Sequence, residues 1–326
     1  MLDLKIWIDS VSNYLRALNL CTLWKNRRFK YSGKINLLYK NIITKNILLL
    51  FLVNFLTISA QPIYTQKDVD VCKSKFELAV EDSLRAKPIN VIITSIGKSF
   101  IGTDYEANTL GSREHEQLVI HLTGLDCYTF LETSLVLARC IKENKTTFDD
   151  YKRELENIRY RNGILTDYPS RLHYFSDWIF DMDKRGIGKD ITKEIGGIPY
   201  KKKIDFMSTH INSYPQLKAN DSFVNEIKKF EKEISARKYY YIPQEKIAQV
   251  EDKIQSGDIL GITTNVDGLD ISHTGIAYRA EDGRIHLMHA PNVGYKVQIS
   301  EKPLAEYIQG NKKQTGIMVL RPLYRQ

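Results

Sequence analysis

The chain has 326 residues and a formal net charge of +8 at pH 7. That length suits one large domain or two small ones. Residues 1–60 hold nine Lys and Arg against Asp3 and Asp9, which leaves only +1 for the rest of the chain. A near-neutral body excludes the basic footprint of a nucleic-acid-binding protein.

Residues 46–60, NILLLFLVNFLTISA, are an apolar run that comes after a basic stretch and ends in small residues. This is the layout of a secretory signal. An uncleaved membrane anchor is the alternative, although the run is shorter than the ~20 residues that span a bilayer. On either reading the basic side stays in the cytoplasm and the body is exported, periplasmic or secreted. Residues 1–60 are thus set apart as a leader. Residues 61–326 form one domain, and membrane contact is expected only through an uncleaved leader.

In residues 67–86, Val71, Phe76, Ala79 and Leu84 recur as in an amphipathic helix, which Pro88 closes. Residues 91–95 fit a short strand or the start of a second helix. In the helix, Ile92, Ile93, Ile96 and Phe100 share one side. GTDYEANTLG, residues 102–111, is a loop by composition. Residues 118–122 read as a short buried strand. Residues 121–140, HLTGLDCYTFLETSLVLARC, then turn helical. Leu131, Leu135, Leu137 and Ala138 fall on one face, and Asp126 can cap the first turn.

A polar helix is expected over residues 147–158 and a turn at Asn162-Gly163. After Pro169 come Arg171, His173, Tyr174, Asp177 and Trp178. That density of rings and charges suits a surface that binds a polar ligand. It also fits an amphipathic helix with Leu172, Phe175 and Ile179 inward. Residues 186–203 read as loop, and residues 221–238 as a charged helix broken by Ile242-Pro243. Short runs of β-formers come next, at 259–262, 272–278, 285–289, 297–299 and 318–320. Turn residues separate them, which predicts an antiparallel meander. Helices first and sheet last make the class α+β.

Cys127 falls in the first turn of its helix, where the dipole and the free N–H groups favour a thiolate. A cysteine nucleophile needs an imidazole, and the imidazole needs an orienting group. His273 shares a strand face with Gly275 and Ala277, whose small size leaves room for a helix end. His286 and His289 sit on the next strand at odd spacing. They face opposite sides, so only one can join His273, and spacing does not choose. A metal site is the rival use of these residues, but no HExxH or CxxC spacing supports it. With Cys127 as nucleophile, Cys72 and Cys140 are the one pair left for an internal disulfide.

GLDCYTFLE, SGDIL, SHTGIAY and HLMHA, in this order, resemble the NlpC-type papain-like cell-wall hydrolases. More closely, GTDYEANTL, LDCYTFLE, YPSRLHYFSDWI, GLDISHTGI, HLMHAP and TGIMVLR resemble the AmiA-like N-acetylmuramoyl-L-alanine amidase family, from about Gly97 to Arg321. The resemblance implies a papain-like fold in which N-terminal helices, with the nucleophile at a helix N-terminus, pack on a C-terminal antiparallel sheet. A helical and loop insertion would occupy about residues 145–250. It implies Cys127 as nucleophile, His273 as general base and His289 as the orienting residue, with His286 on the opposite face. Substrate binding is expected from Tyr105, Asp126, Arg171, His173, Tyr174, Asp177 and Trp178. Asn108 stands where the family's loop carries Gly. The implied substrate is a muropeptide, a peptidoglycan fragment that includes anhydromuramoyl forms. It would be cut at the muramoyl–L-alanine amide with no metal or cofactor.

Overall fold

A computed structural model describes residues 61–111 and 115–324, and the expected leader at residues 1–60 lies outside them. Helix α1 (Gln66–Glu81) starts at a capping box in which Thr65 and Asp68 satisfy each other's backbone N–H. Asp68 is fully buried and also accepts the N–H of Leu122 at 2.7 Å, tying α1 to the segment that precedes Cys127. Pro88 does not merely end a helix. It caps the next one, α2 (Ile89–Lys98), which buries Ile92, Ile93 and Ile96 completely. The helical alternative for this stretch is therefore the observed one. Residues 118–122 form no strand. Their pairing is an isolated parallel bridge between Ile63 and Val119.

Helix α3 (Cys127–Glu143) begins at Asp126, as its side-chain chemistry requires. The Asp126 carboxylate accepts the N–H of Tyr128 at 3.0 Å and of Thr129 at 2.8 Å. The helix is buried almost all round, which needs α1, α2, α4 (Phe148–Arg159) and the sheet packed about it. Glu132 sits wholly inside and is paired by the Arg159 Nε at 2.9 Å. Arg159 also donates to the Val119 carbonyl at 2.6 Å. Cys72 and Cys140 are buried free thiols, not a disulfide.

Helix α5 (Phe175–Lys184) is next. The region read as loop contributes two short strands, β1 (Gly188–Asp190) and β2 (Ile198–Tyr200). Helix α6 (Asp221–Ala236) matches the charged helix, but the chain beyond it forms strand β3 (Tyr239–Pro243) rather than a mere break. Pro243 is tolerated because it is the strand's last residue, where one lost N–H interrupts little of the ladder. Then come β4 (Ile259–Thr264), β5 (Ile271–Arg279), β6 (Ile285–His289), β7 (Gln298–Ile299), α7 (Leu304–Gln309) and β8 (Gln314–Pro322).

The sheet order is β2-β3-β8-β4-β5-β6-β7, and β1 also pairs with β8; the neighbours are antiparallel. The meander holds from β4 to β7 only. β8 returns to lie between β3 and β4, where its apolar residues are covered on both sides. One face of the sheet packs Ile259, Ile276, Met288 and Met318 against the helices. The other packs Leu260, Ile262, Leu287 and Val319 under Leu304 and Ile308 of α7. Gly261 lets α5 approach, since a Cβ there would strike the Phe175 ring. The result is α+β, with helix α3 laid on an antiparallel sheet. Among the described residues no helix is long and apolar enough to cross a membrane.

Candidate active site

Strand β5 runs past the end of β6, because their ladder starts at the Ile276–Met288 pair. That leaves residues 271–275 beside an open notch, and the first turn of α3 fills it. The backbone N–H groups of Thr274 and Cys127 lie close to the Cys127 sulfur, while the Tyr128 N–H is taken by Asp126. His273, next to Thr274, directs Nε2 at Nδ1 of His289, 2.6 Å away. The rings meet nearly edge to face, at 77°. His286 faces elsewhere, bonded to the Ser300 carbonyl at 2.7 Å and to Asp282 at 3.1 Å.

A role for His273 as base would set the tautomers of this pair. For His273 Nδ1 to accept a proton from sulfur, its own proton must lie on Nε2. His289 Nδ1 then accepts, and the His289 proton lies on its Nε2. That atom is buried without a hydrogen-bond partner. The Tyr307 ring of α7 stands edge-on to His289, with centroids 5.3 Å apart. The sequence carries no sign of Tyr307, because a six-residue helix between strands has too little periodicity to register.

The electrostatics run against the expected thiolate. Burial, and next the Asp126 carboxylate, push the Cys127 thiol up to about 12, and the surrounding N–H groups offset only part of this. The cap that organises α3 also uses up the helix N-terminus that would have acidified the thiol. Burial lowers His273 to about 4, and burial with the neighbouring His273 lowers His289 to about 3. Cys127 and His273 therefore both rest neutral, and a proton passed from sulfur to His273 would charge them together.

The structure divides the expected substrate-binding residues. Tyr105 is half-buried beside the thiol and Asp126, and its N–H is held by the Tyr295 carbonyl at 2.7 Å. Asp126, Arg171 and His173 line a cleft of about 640 Å³ together with Tyr168, Tyr214 and Gln216. The Arg171 fork, however, is closed bidentately on buried Glu116 at 2.7 Å, so it is not an open carboxylate clamp. His173 bonds the Tyr168 carbonyl at 2.8 Å and lies against that ring. Tyr174, Asp177 and Trp178 are interior. Tyr174 donates to Glu231, Asp177 pairs with Arg161 and Arg237, and the Trp178 indole N–H bonds the Ile158 carbonyl. Their density reflects buried polar pairing, with Trp178 and Asp177 at most 1% exposed. Among the described residues no cluster of three His, Cys, Asp or Glu is arranged to hold a metal ion.

The model of the AmiA-like family, described as N-acetylmuramoyl-L-alanine amidase-like, matches residues 95–317. The chain belongs to the AmiA-like family. A crystal structure of an N-acetylmuramoyl-L-alanine amidase from Bacteroides uniformis is 35% identical to it, with a TM-score of 0.69, over 72% of this chain and 99% of that one. A Bacteroides fragilis structure described as a candidate xylanase is 38% identical, with a TM-score of 0.65, over 69% and 98%. A Legionella pneumophila protein at 21% identity and a TM-score of 0.59 shares the fold, over 79% and 95%. No curated protein matches the chain.

Half-buried His173 and His273 and buried His289 give this AmiA-like chain a pH signature. Burial lowers His173 to about 3, and His273 and His289 are lowered likewise. An unfolded histidine titrates near 6.5. The stability from keeping each neutral is therefore full above pH ~6.5 and is lost as pH falls toward the folded values. Thermal melts at pH 7, 6 and 5 should show a falling Tm. His173→Asn should flatten that fall, and identical slopes for the two proteins would show that His173 is not held neutral.

Proposed function

We propose that the protein is an exported cysteine amidase that hydrolyses the amide between N-acetylmuramic acid and L-alanine in peptidoglycan fragments, using a papain-like, NlpC-type Cys127–His273–His289 triad. Membership of the AmiA-like family and the amidase name of the Bacteroides uniformis neighbour support an amidase acting on peptidoglycan. The observation that carries the mechanism is the 2.6 Å contact between His273 and His289 beside the first turn of the Cys127 helix. It orients one imidazole and leaves its other nitrogen for the sulfur.

His273 Nδ1 takes the thiol proton as Cys127 Sγ attacks the lactyl carbonyl carbon. The carbonyl electron pair moves to oxygen, which the Cys127 N–H, not engaged by the Asp126 cap, can receive. On collapse the C–N bond breaks, and His273 returns the proton to the leaving L-alanine amine. Water then attacks the thioester and loses its proton to His273, and the carboxylic acid departs as the thiol is restored. The candidate-xylanase name of one neighbour implies another chemistry. A glycosidase needs two carboxyls flanking the bond, one of them a proton donor. The carboxylate beside Cys127 is Asp126, engaged in capping α3.

Digesting a defined muropeptide and weighing the products tests the bond assignment. Free muramic sugar plus the intact stem peptide is the expected result. Fragments cut within the stem would replace the amidase with an endopeptidase using the same residues. Unchanged muropeptide, with Cys127 inert to iodoacetamide, would leave a non-catalytic binding protein.

A further inference from the structure

The proposed reaction does not use a second cleft, of about 610 Å³, formed where the β2 edge strand and the segment after it meet the entry to β3. Its lining includes Lys201, Lys202, Lys203, Arg237 and Lys238, and no acidic residue. Residues 61–326 carry a net charge of only +1, so this is a local concentration and not an average property. It shares no lining residue with the cleft beside Cys127.

Three of the five cations are already committed. Lys203 pairs with Asp205, and Arg237 pairs with Asp177. Lys202 donates to the Thr264 carbonyl at 2.5 Å and has no carboxylate partner among the described residues. Lys201 and Lys238 are exposed, and among the described residues neither meets an acidic side chain. Tyr200, Tyr239 and Tyr240 supply the wall. Tyr200 is anchored through its hydroxyl to the Asp270 carbonyl at 2.9 Å and packs against Tyr241 at 5.0 Å. Aromatic rings thus wall a concave surface on which five cations gather, three of them without a carboxylate partner among the described residues.

We infer that this cleft binds a phosphoryl group, presented by a soluble phosphate ester or by an anionic lipid headgroup. A compact, multiply charged oxyanion satisfies several ammonium groups at once, and lysine serves phosphate as a point charge. A single carboxylate offers less charge to the three cations that lack a carboxylate. The site stands apart from the triad, so its test does not depend on the amidase reading.

The full chain is titrated with inorganic tripolyphosphate by calorimetry. It is also sedimented with vesicles of phosphatidylcholine alone or mixed with phosphatidylglycerol. Lys201→Glu/Lys238→Glu is compared with Lys312→Glu/Lys313→Glu, a charge-matched change at exposed lysines outside the cleft. Lys201→Ala/Lys238→Ala serves if the first variant fails to fold. The leader is the same in every protein, so its own affinity for vesicles cancels. The cleft variant is expected to lose tripolyphosphate affinity by tenfold or more, or to lose its preference for phosphatidylglycerol vesicles, while the control keeps both. Loss in the first arm alone identifies a soluble phosphate, and loss in the second alone a lipid headgroup. Equal weakening in cleft and control variants, or a wild-type chain that binds neither probe, overturns the inference.

Discussion

Cys127→Ala is expected to lower the rate of peptide release from muropeptides by several powers of ten, since it removes the atom that the proposed mechanism makes the nucleophile. The folded protein should survive the change. The sulfur sits in a notch at the end of the sheet, and the cap of α3 belongs to Asp126. Thermal melts and far-ultraviolet circular dichroism of the variant should therefore match the wild type. Release that continues at even a tenth of the original rate would remove Cys127 from the mechanism. Loss of activity together with loss of the folded signal would be explained by unfolding alone, so both readouts are needed.

Glu132→Ala should give the largest loss of stability. Glu132 is fully buried, and Arg159 beside it is 3% exposed. Burial raises the carboxyl of Glu132, with the Arg159 charge as the main opposing influence. Removing the carboxylate leaves a buried guanidinium whose remaining hydrogen bond is to the Val119 carbonyl. Breaking such a pair costs about 3–5 kcal/mol, chiefly because one charge is stranded. Denaturant titration of Glu132→Ala should show a loss of that order. Glu132→Ala/Arg159→Met should recover much of it, because the stranded charge goes too. A double variant as unstable as the single would show that the loss comes from the cavity and not the charge.

The helical half of the molecule was legible because its signals are local. Asp126 before Cys127 and Thr147 before Phe148 are caps readable within four residues, and both head the expected helices. The second half of the sheet was legible for the same reason, as alternating runs between turn residues. The hidden features depend on partners far along the chain. Ring and charge density after Pro169 could not reveal that Asp177 meets Arg237, or that Arg171 meets Glu116. Strand Tyr239–Pro243 is fixed by pairing with β2 and β8, both remote in sequence. At the site, alternation left His286 and His289 equivalent until the register with β5 placed one of them against His273. The raised thiol was not legible either, because a cap read as helpful to the helix is unhelpful to the anion beside it.

The position of β8 bears on when the site can exist. Of the described strands β8 is the last to leave the ribosome, and it fills the gap between β3 and β4, the neighbour that carries β5 and His273. Until it arrives, two inner strands each expose a row of unpaired backbone groups. Such late, long-range closure raises contact order and slows folding. The growing chain thus carries Cys127 well before β5 and β6 bring His273 and His289, and the sheet that holds that pair is complete only once β8 has been made.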